Sequence, residues 1–256
     1  MKKYTADMKV VENKRLHDRY CLLRLTSGSR LPEMVPGQFV EARVENTFLR
    51  RPISVNYLDR KANELWLLIR IAGEGTRRLS EYEAGETVNL ILPLGNGFTA
   101  PQKVVDAKPL LVGGGVGVAP LLYLGDVLKS IGFEPVFLLG ARTKDDILQL
   151  GHFEKIGKTF VTTEDGSSGE KGFVTDHSVL RAARFDRIYT CGPKPMMVAV
   201  AKYARATDTP CEVSLENMMA CGIGACLCCV EKTVKGNVCV CTDGPVFNIN
   251  QLTWQI

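Results

Sequence analysis

Short apolar runs alternate with turn sequences over the first hundred residues. Four runs predict strands: YCLLRLTS, QFVEARV, ELWLLIRI and TVNLILPL. Turn sequences such as VPG, LDRKAN and EAGE separate them, and one segment, EGTRRLSEYEAGE, has a helical pattern with Gly75-Thr76 near its start. Several short strands at this spacing are typical of a β-barrel or sandwich. We therefore predict a β-rich domain over residues 1–100.

A different alternation begins at residue 101. The segment PLLVGGGVGVAPLLYLGDVLKSIG predicts a buried strand, a glycine-rich turn and a helix. Three more predicted strands, EPVFLLGAR, KTFVTTED and RIYTCGP, alternate with the helical segments DDILQLGHFEKIG, VTDHSVLRAARF and KPMMVAVAKYARAT. This order predicts a parallel, doubly wound sheet over residues 101–212. Ligands of such sheets bind at the carboxyl ends of the strands.

The pattern changes again over residues 213–256. CEVSLE, which straddles this boundary, predicts a last strand of the sheet, and a compact cysteine-rich segment follows it. Within that segment CCVEKTVKGNVCV predicts a hairpin that turns at Lys235-Gly236-Asn237. We expect these residues to form a small third domain.

Composition narrows the class of protein. The chain has 256 residues, 45% of them hydrophobic, and a net charge of +4. It has no long Lys/Arg run, so a nucleic-acid partner is not expected. No apolar stretch reaches the ~20 residues of a membrane span, and the start MKKYTADMKVVENK lacks the apolar region of a signal peptide. We expect a cytoplasmic protein.

Nine cysteines are present, and their distribution is uneven. Cys21, Cys191 and Cys211 are scattered, whereas the other six fall between Cys221 and Cys241. In a reducing compartment such clustering favours metal binding over disulfides.

The cysteine spacing points to an iron–sulfur cluster. Cys221, Cys226 and Cys229 form C-x4-C-x2-C, which plant-type ferredoxins use for three ligands of a [2Fe-2S] cluster. Cys239 or Cys241 could supply the fourth ligand, and Cys241 is favoured because it starts the turn CTDGP. Four thiolates also suit zinc, although zinc ribbons usually pair two C-x2-C knuckles.

Two further motifs suit a nucleotide. The glycines of LLVGGGVGVAPLL follow a predicted strand and open a helix, where backbone N–H groups can reach a pyrophosphate. They are Gly113, Gly114, Gly115 and Gly117. Cys191-Gly192, in YTCGPKPMM, ends a later predicted strand. Each motif could also be a plain turn without a ligand.

The β-rich half carries two candidate anion sites. In LRRPISVNY, Arg51 places a cation beside Pro52 and Ser54, and arginine pairs well with phosphate. Gly75-Thr76 could be an anion site or simply a helix cap. Alone, Arg51 could be an ordinary surface residue, but both features could meet one pyrophosphate.

Together these motifs resemble the ferredoxin–NADP reductase superfamily. The flavin motif R-P-x-S is matched by Arg51-Pro52-Ile53-Ser54, and the phosphate-binding glycine and hydroxyl by Gly75-Thr76. The nicotinamide-domain signatures match Gly113 to Pro120 and Cys191 to Pro193. The resemblance implies an antiparallel FAD-binding barrel followed by an NAD-binding α/β domain.

The cysteine segment narrows the resemblance. MACGIGACLCCV and VCTDGPVF are similar to the electron transfer subunits of heteromeric, NAD-dependent dihydroorotate dehydrogenases, and the likeness spans essentially the whole chain. It implies a C-terminal [2Fe-2S] domain with the ligands Cys221, Cys226, Cys229 and Cys241.

The resemblance also implies a function in pyrimidine biosynthesis. A separate FMN-containing catalytic subunit oxidises dihydroorotate, in a heterotetramer with two copies of each subunit. Electrons then pass through the cluster and FAD of this chain to NAD⁺. No catalytic residue of this chain is assigned, because dihydroorotate should bind to the partner.

The same resemblance assigns the binding residues. Arg51 is expected at the FAD phosphate, Ser54 at the flavin ring, the strand Leu68-Ile69-Arg70 beside the flavin, and Gly75-Thr76 at the pyrophosphate. The Gly113–Gly117 turn and Cys191-Gly192 are expected to face the nicotinamide dinucleotide. In VTTEDG, Glu164 and Asp165 favour NADH over NADPH, whereas Arg142 would suit a phosphate.

Two alternatives remain at this point. The chain could be the flavin subunit of a ferredoxin- or polysulfide-linked NAD(P)H oxidoreductase, which shares the first two domains. It could also be a regulatory module with a structural metal, although the intact glycine motifs, Arg51 and Ser54 argue against that.

Overall fold

The computed structural model describes residues 2–100 and 107–254. The predicted boundary between residues 100 and 101 borders the segment 101–106, which lies outside the described residues. The chain forms two compact units, each built from three segments. The first is Met1–Gly97, Asn217–Glu231 and Asn237–Pro245; the second is Phe98–Glu216, Lys232–Gly236 and Val246–Ile256.

The first unit contains the predicted barrel. Its strands are β1 (Tyr4–His17), β2 (Tyr20–Thr26), β3 (Phe39–Ala42), β4 (Arg51–Asp59), β5 (Glu64–Arg70) and β6 (Thr87–Leu94). They close in the order β1-β2-β5-β4-β3-β6, and every pairing is antiparallel. A closed barrel has no unpaired edge strand. The short helix α1 (Glu74–Leu79) connects β5 to β6.

Sequence patterning missed two of the six strands. In β1 only Met8 and Val10 are buried, so the strand lacks a continuous apolar face. In β4 the second residue is a proline, which donates no ladder hydrogen bond, yet Pro52 lies opposite Glu41 in the ladder with β3. Helix α1 has six residues, so the predicted helical segment was too long.

The second unit contains the predicted parallel sheet. Its chain order begins with β7 (Pro109–Gly114), α2 (Ala119–Ser130), β8 (Val136–Ala141), α3 (Leu150–Ile156), β9 (Lys158–Thr163) and β10 (Glu170–Lys171). It continues with α4 (Val179–Ala182), β11 (Arg187–Cys191), α5 (Lys194–Ala206) and β12 (Cys211–Ser214). All these strands run parallel. Helices α3 and α4 are shorter than predicted.

The C-terminal residues are divided between the two units. They form β13 (Val230–Thr233), β14 (Gly236–Cys239), α6 (Val240–Asp243) and β15 (Val246–Asn248). The predicted hairpin is present as the two-stranded sheet β13-β14. Strand β15 adds antiparallel to β12 and completes a seven-stranded sheet in the order β10-β9-β8-β7-β11-β12-β15. Residues 213–256 thus contribute to both compact units, and a separate cluster-binding domain over these residues stays a prediction.

Apolar side chains fill the interiors of both units. Fully buried examples in the barrel are Leu23, Leu25, Val40, Val55 and Leu67, and in the second unit Leu110, Leu121, Phe137, Ile188 and Val213. Among the described residues no helix is both long and apolar enough to cross a membrane.

Candidate functional site

The pairing of β3 with β4 sets one face of the barrel. Phe39 lies opposite Ser54, and Glu41 lies opposite Pro52. Because side chains alternate along a strand, these four residues share one face of the two strands. The predicted flavin motif therefore lies next to Glu41, a residue that the sequence analysis did not single out.

Arg51 and Gly75, predicted to meet one pyrophosphate, lie in contact. A Cβ atom added at Gly75 would be 2.2 Å from Nε of Arg51, so a side chain there would displace the guanidinium group. Nη1 of Arg51 donates hydrogen bonds to the carbonyl oxygens of Leu49 and Arg50. These contacts hold the cation beside the start of α1.

The hydroxyl group of Thr76 serves as a helix cap. Its Oγ1 accepts hydrogen bonds from the N–H groups of Ala72, at 2.9 Å, and Gly73, at 3.2 Å. It also donates to the carbonyl oxygen of Gly73. The hydroxyl group thus closes the turn that leads into α1, while an anion site at Gly75-Thr76 stays a prediction.

Leu68, Ile69 and Arg70, which were predicted to lie beside the flavin, belong to β5. Leu68 and Ile69 are buried, at 2% and 0% exposure, whereas Arg70 is exposed. Any contact of Leu68 or Ile69 with a ligand outside the barrel would therefore involve backbone atoms, and Arg70 alone offers an exposed side chain.

The nucleotide motifs meet at the carboxyl edge of the parallel sheet. The sheet grows in one direction through β7, β8 and β9, and in the other through β11 and β12, so the strand order reverses between β7 and β11. Cys191, the last residue of β11, pairs with Gly113 of β7. Ligands of open α/β sheets bind at such a reversal point.

Backbone packs directly against backbone where these motifs meet. A Cβ atom at Gly117 would be 2.5 Å from both the carbonyl oxygen of Cys191 and the Cα atom of Gly192. Cys191 is buried, and burial raises the pKa of its thiol well above the ordinary value. That thiol therefore stays neutral near pH 7.

The acids predicted to favour NADH follow the carboxyl end of β9. The carboxylate of Asp165 accepts hydrogen bonds from the N–H and hydroxyl groups of Ser167, at 2.9 and 2.7 Å. Glu164 is exposed, and its N–H group donates to the carbonyl oxygen of Ala141. Glu164 is therefore the better placed of the two acids to meet a ribose hydroxyl.

Residues Asn217–Glu231, called the cysteine loop below, belong to the same unit as the barrel. The sulfur of Cys221 accepts hydrogen bonds from the N–H groups of Ile223, Ala225 and Cys226, at 3.3–3.5 Å. Desolvation alone would raise the pKa of Cys221, but these N–H groups and the Cys226 thiol outweigh it and lower the pKa to about 6. The loop is thus built to hold a thiolate.

A second pair of thiols lies deeper. Cys229 and Cys241 are buried, and the N–H group of Cys241 donates to the sulfur of Cys229 at 3.4 Å. Burial and the Cys229 sulfur raise the pKa of Cys241 to about 12. Ionising Cys241 near pH 7 therefore requires a nearby positive charge, which a metal ion supplies.

The remaining two cysteines are placed differently. Cys228 is exposed. Cys239 is half-buried, and its N–H group donates to the carboxylate of Asp243.

The thiols form two pairs rather than one set around a single ion. Among the described residues, no three His, Cys, Asp or Glu side chains are grouped to hold one metal ion. The pairs are Cys221 with Cys226 and Cys229 with Cys241. A [2Fe-2S] cluster has two irons and takes four thiolates, so the two pairs of thiols suit its ligand requirement.

Glu41 lies directly beneath this loop. A Cβ atom at Gly222 would be 2.5 Å from Cγ of Glu41 and 2.7 Å from its Oε1. Glu41 is completely buried. Burial raises the pKa of its carboxyl group to about 7, although Arg50 and Arg51 lower it.

Two family models match the chain. The iron–sulfur cluster binding domain of dihydroorotate dehydrogenase B matches residues 216–253, and the oxidoreductase NAD-binding domain matches residues 111–202. An electron transfer subunit of dihydroorotate dehydrogenase B (NAD(+)) from Geobacillus kaustophilus is 41% identical, over 88% of this chain and 90% of its own length. The chain belongs to this family. A Fusobacterium nucleatum member is 42% identical, over 83% of this chain and 84% of its own length.

Two solved structures have a similar fold. The structure of an NADH-dependent reduced ferredoxin–NADP oxidoreductase superposes with a TM-score of 0.85 at 32% identity, over 96% of this chain and 90% of the other. The ferredoxin reductase of carbazole 1,9a-dioxygenase has a TM-score of 0.70 at 20% identity, over 82% of this chain and 68% of the other, and shares the fold.

The expectations of the resemblance are confirmed at the level of the family. The chain is an electron transfer subunit of an oxidoreductase, and its cofactors are FAD, a [2Fe-2S] cluster and NAD. The ferredoxin reductase-like fold class is confirmed as well.

Substituting Gly75 tests the contact with Arg51. Gly75→Ala should displace the guanidinium group and weaken FAD binding about tenfold, the loss of roughly one charge-assisted hydrogen bond. Fluorimetric titration of the apoprotein with FAD measures this. Gly28→Ala is the control, because a Cβ atom there has no neighbour within 4 Å. Equal affinities for the two variants would contradict the prediction.

Substituting Gly117 tests the packing at the strand reversal. Gly117→Ala should reduce the free energy of unfolding by about 1–3 kcal/mol through overpacking and raise the KM for NADH. Thermal unfolding and NADH oxidation by ferricyanide measure the two effects. Gly151→Ala, at an open position in α3, is the control and should not lower the stability. A Gly117→Ala chain as stable as the control would refute the prediction.

Proposed function

We propose that this chain carries electrons from the FMN of a dihydroorotate-oxidising subunit to NAD⁺, with its cluster as the entry point. The observation that carries the proposal is the placement of two thiol pairs in the same compact unit as the flavin strand β4. When bound, the cluster takes up single electrons, and FAD converts them into the hydride that NAD⁺ accepts.

The proposed cluster ligands are Cys221, Cys226, Cys229 and Cys241. Loop N–H groups at the Cys221 sulfur support this set, because such hydrogen bonds stabilise thiolates and tune cluster potentials. The buried Cys229–Cys241 pair supports Cys241 as the fourth ligand. The backbone of Cys239 is instead bonded to Asp243.

The proposed FAD site lies along β4 and its neighbours. Arg51, packed against Gly75, binds the pyrophosphate, and Ser54 lies at the flavin ring. Pro52 and Ile53 lie between Arg51 and Ser54 and keep both in the same strand. Thr76 fixes the turn that presents Gly75. Leu68, Ile69 and Arg70 of β5 border the flavin.

The proposed NAD site lies at the strand reversal of the second unit. The Gly113–Gly117 turn receives the pyrophosphate, and Cys191 and Gly192 border the nicotinamide. The neutral Cys191 thiol adds no charge where a hydride arrives. Glu164 accepts a hydrogen bond from the adenosine ribose, which favours NADH over NADPH.

The proposed partner is the FMN-containing catalytic subunit, in a heterotetramer of two copies of each chain. The cysteine loop supports an interface there, because it exposes the apolar side chains of Met218, Ile223 and Leu227. A cytoplasmic location is proposed, because clustered thiols remain reduced in that compartment. A complex with the cysteine loop remote from the partner would refute the interface.

Serine substitutions separate ligands from spare cysteines. Cys226→Ser and Cys241→Ser should abolish the cluster, whereas Cys228→Ser and Cys239→Ser should retain about two irons per chain, as expected for one cluster. Iron analysis and visible spectra measure this. NADH oxidation by an artificial acceptor should largely survive in all four variants, because it needs only FAD. A cluster that survives Cys241→Ser but not Cys239→Ser would show that Cys239, and not Cys241, is the fourth ligand.

Reconstitution with the cognate catalytic subunit tests the electron path. Dihydroorotate should bleach the visible absorbance of the complex under anaerobic conditions, and NAD⁺ should restore it. The control is the isolated chain, which dihydroorotate should leave unchanged because the substrate binds to the partner. A complex that dihydroorotate does not reduce would refute the proposed function.

A second candidate is electron exchange with ferredoxin. The 32% identity to the reduced ferredoxin–NADP oxidoreductase structure favours it, and the higher identity to the dihydroorotate dehydrogenase subunits argues against it. The test compares two rates of reduction of this chain, one by reduced ferredoxin and one by the catalytic subunit with dihydroorotate. A faster rate with ferredoxin would support this candidate.

A further inference from the structure

Glu41 occupies the place where the flavin strand and the cysteine loop come together. On one side it lies opposite Pro52 of β4, on the face that also carries Ser54. On the other side its carboxyl group contacts the backbone of Gly222, the residue after Cys221. No side chain could replace the hydrogen of Gly222 without moving Glu41, and the positive φ of Gly222, 67°, also favours glycine.

The carboxyl group of Glu41 lacks a hydrogen-bond partner. Both oxygens are inaccessible to solvent, and neither is bonded within the part of the chain that the structure describes. Leaving a buried polar group unsatisfied costs about 1–3 kcal/mol. An apolar side chain of the same size would avoid that cost, so packing alone does not account for a glutamate here.

Resting on the proposed function, we propose that Glu41 is a positioning residue for electron transfer between the cluster and FAD. It holds the cysteine loop against strand β4. Its oxygens accept a hydrogen bond in the loaded site, from a loop N–H group or an enclosed water. The side chain acts through Gly222 and Cys221 and touches neither substrate nor NAD.

Glutamine and leucine variants separate the polar contact from simple filling of space. Both side chains are close to glutamate in size, but only glutamine can form hydrogen bonds. NADH donates two electrons and a proton as hydride to the flavin; one electron then goes on to the cluster and the other stays on the flavin. Rapid mixing with NADH follows the two steps separately, and electron paramagnetic resonance records the reduced cluster.

We expect Glu41→Leu to slow cluster reduction about tenfold or more, the scale of changes next to metal ligands, and to alter the resonance spectrum. Flavin reduction by NADH should not change. Glu41→Gln should stay within about twofold of the parent chain, since it keeps the polar contact. Glu33→Leu, at an exposed carboxylate of the same unit, is the control.

The cluster and FAD content of each variant decides how its result is interpreted. Loss of the cluster from the leucine chain but not from the glutamine chain also supports the proposal, because the loop is then no longer held. A leucine chain as fast as the parent, or a glutamine chain as slow as the leucine chain, overturns it. A parent chain that binds FAD but no iron would instead refute the proposed function.

Discussion

The antiparallel pairing of β3 with β4 is the constraint on which the redox half of the molecule depends. It places Ser54 and Pro52 on the same face as Glu41, and Arg51 at the end of the same strand. A slip of one residue would turn every side chain to the opposite face. The proposed flavin site and the floor of the cysteine loop would then be lost together.

Close backbone approach fixes the second unit in a comparable way. The strand reversal brings Gly113 and Cys191 side by side, and Gly117 then fits against the backbone of Cys191 and Gly192. Two motifs separated by more than seventy residues thereby form one surface. Glycine is needed there because backbone atoms, unlike a flexible side chain, cannot move aside.

The sequence predicted the parts that have their own local signal. Glycine turns, the parallel sheet and the cysteine spacing each require particular residue types at fixed distances. Strand β1 was missed because most of its residues are polar or charged and only Met8 and Val10 are buried. Glu41 was missed because a glutamate in QFVEARV suggests an exposed strand position, and Gly222, which contacts its carboxyl group, lies far along the chain. The place of β15 beside β12 is equally non-local.

The burial of the thiols argues for a relay rather than a structural clip. Cys226 is exposed and Cys221 half-buried, whereas Cys229 and Cys241 are buried. A group held by both pairs therefore reaches from the surface of the unit to its interior. The low pKa of Cys221 and the high pKa of Cys241 show how different the two environments are. A cluster held by all four thiols would therefore connect the surface, where a partner can approach, with the interior of the unit that carries the proposed flavin site.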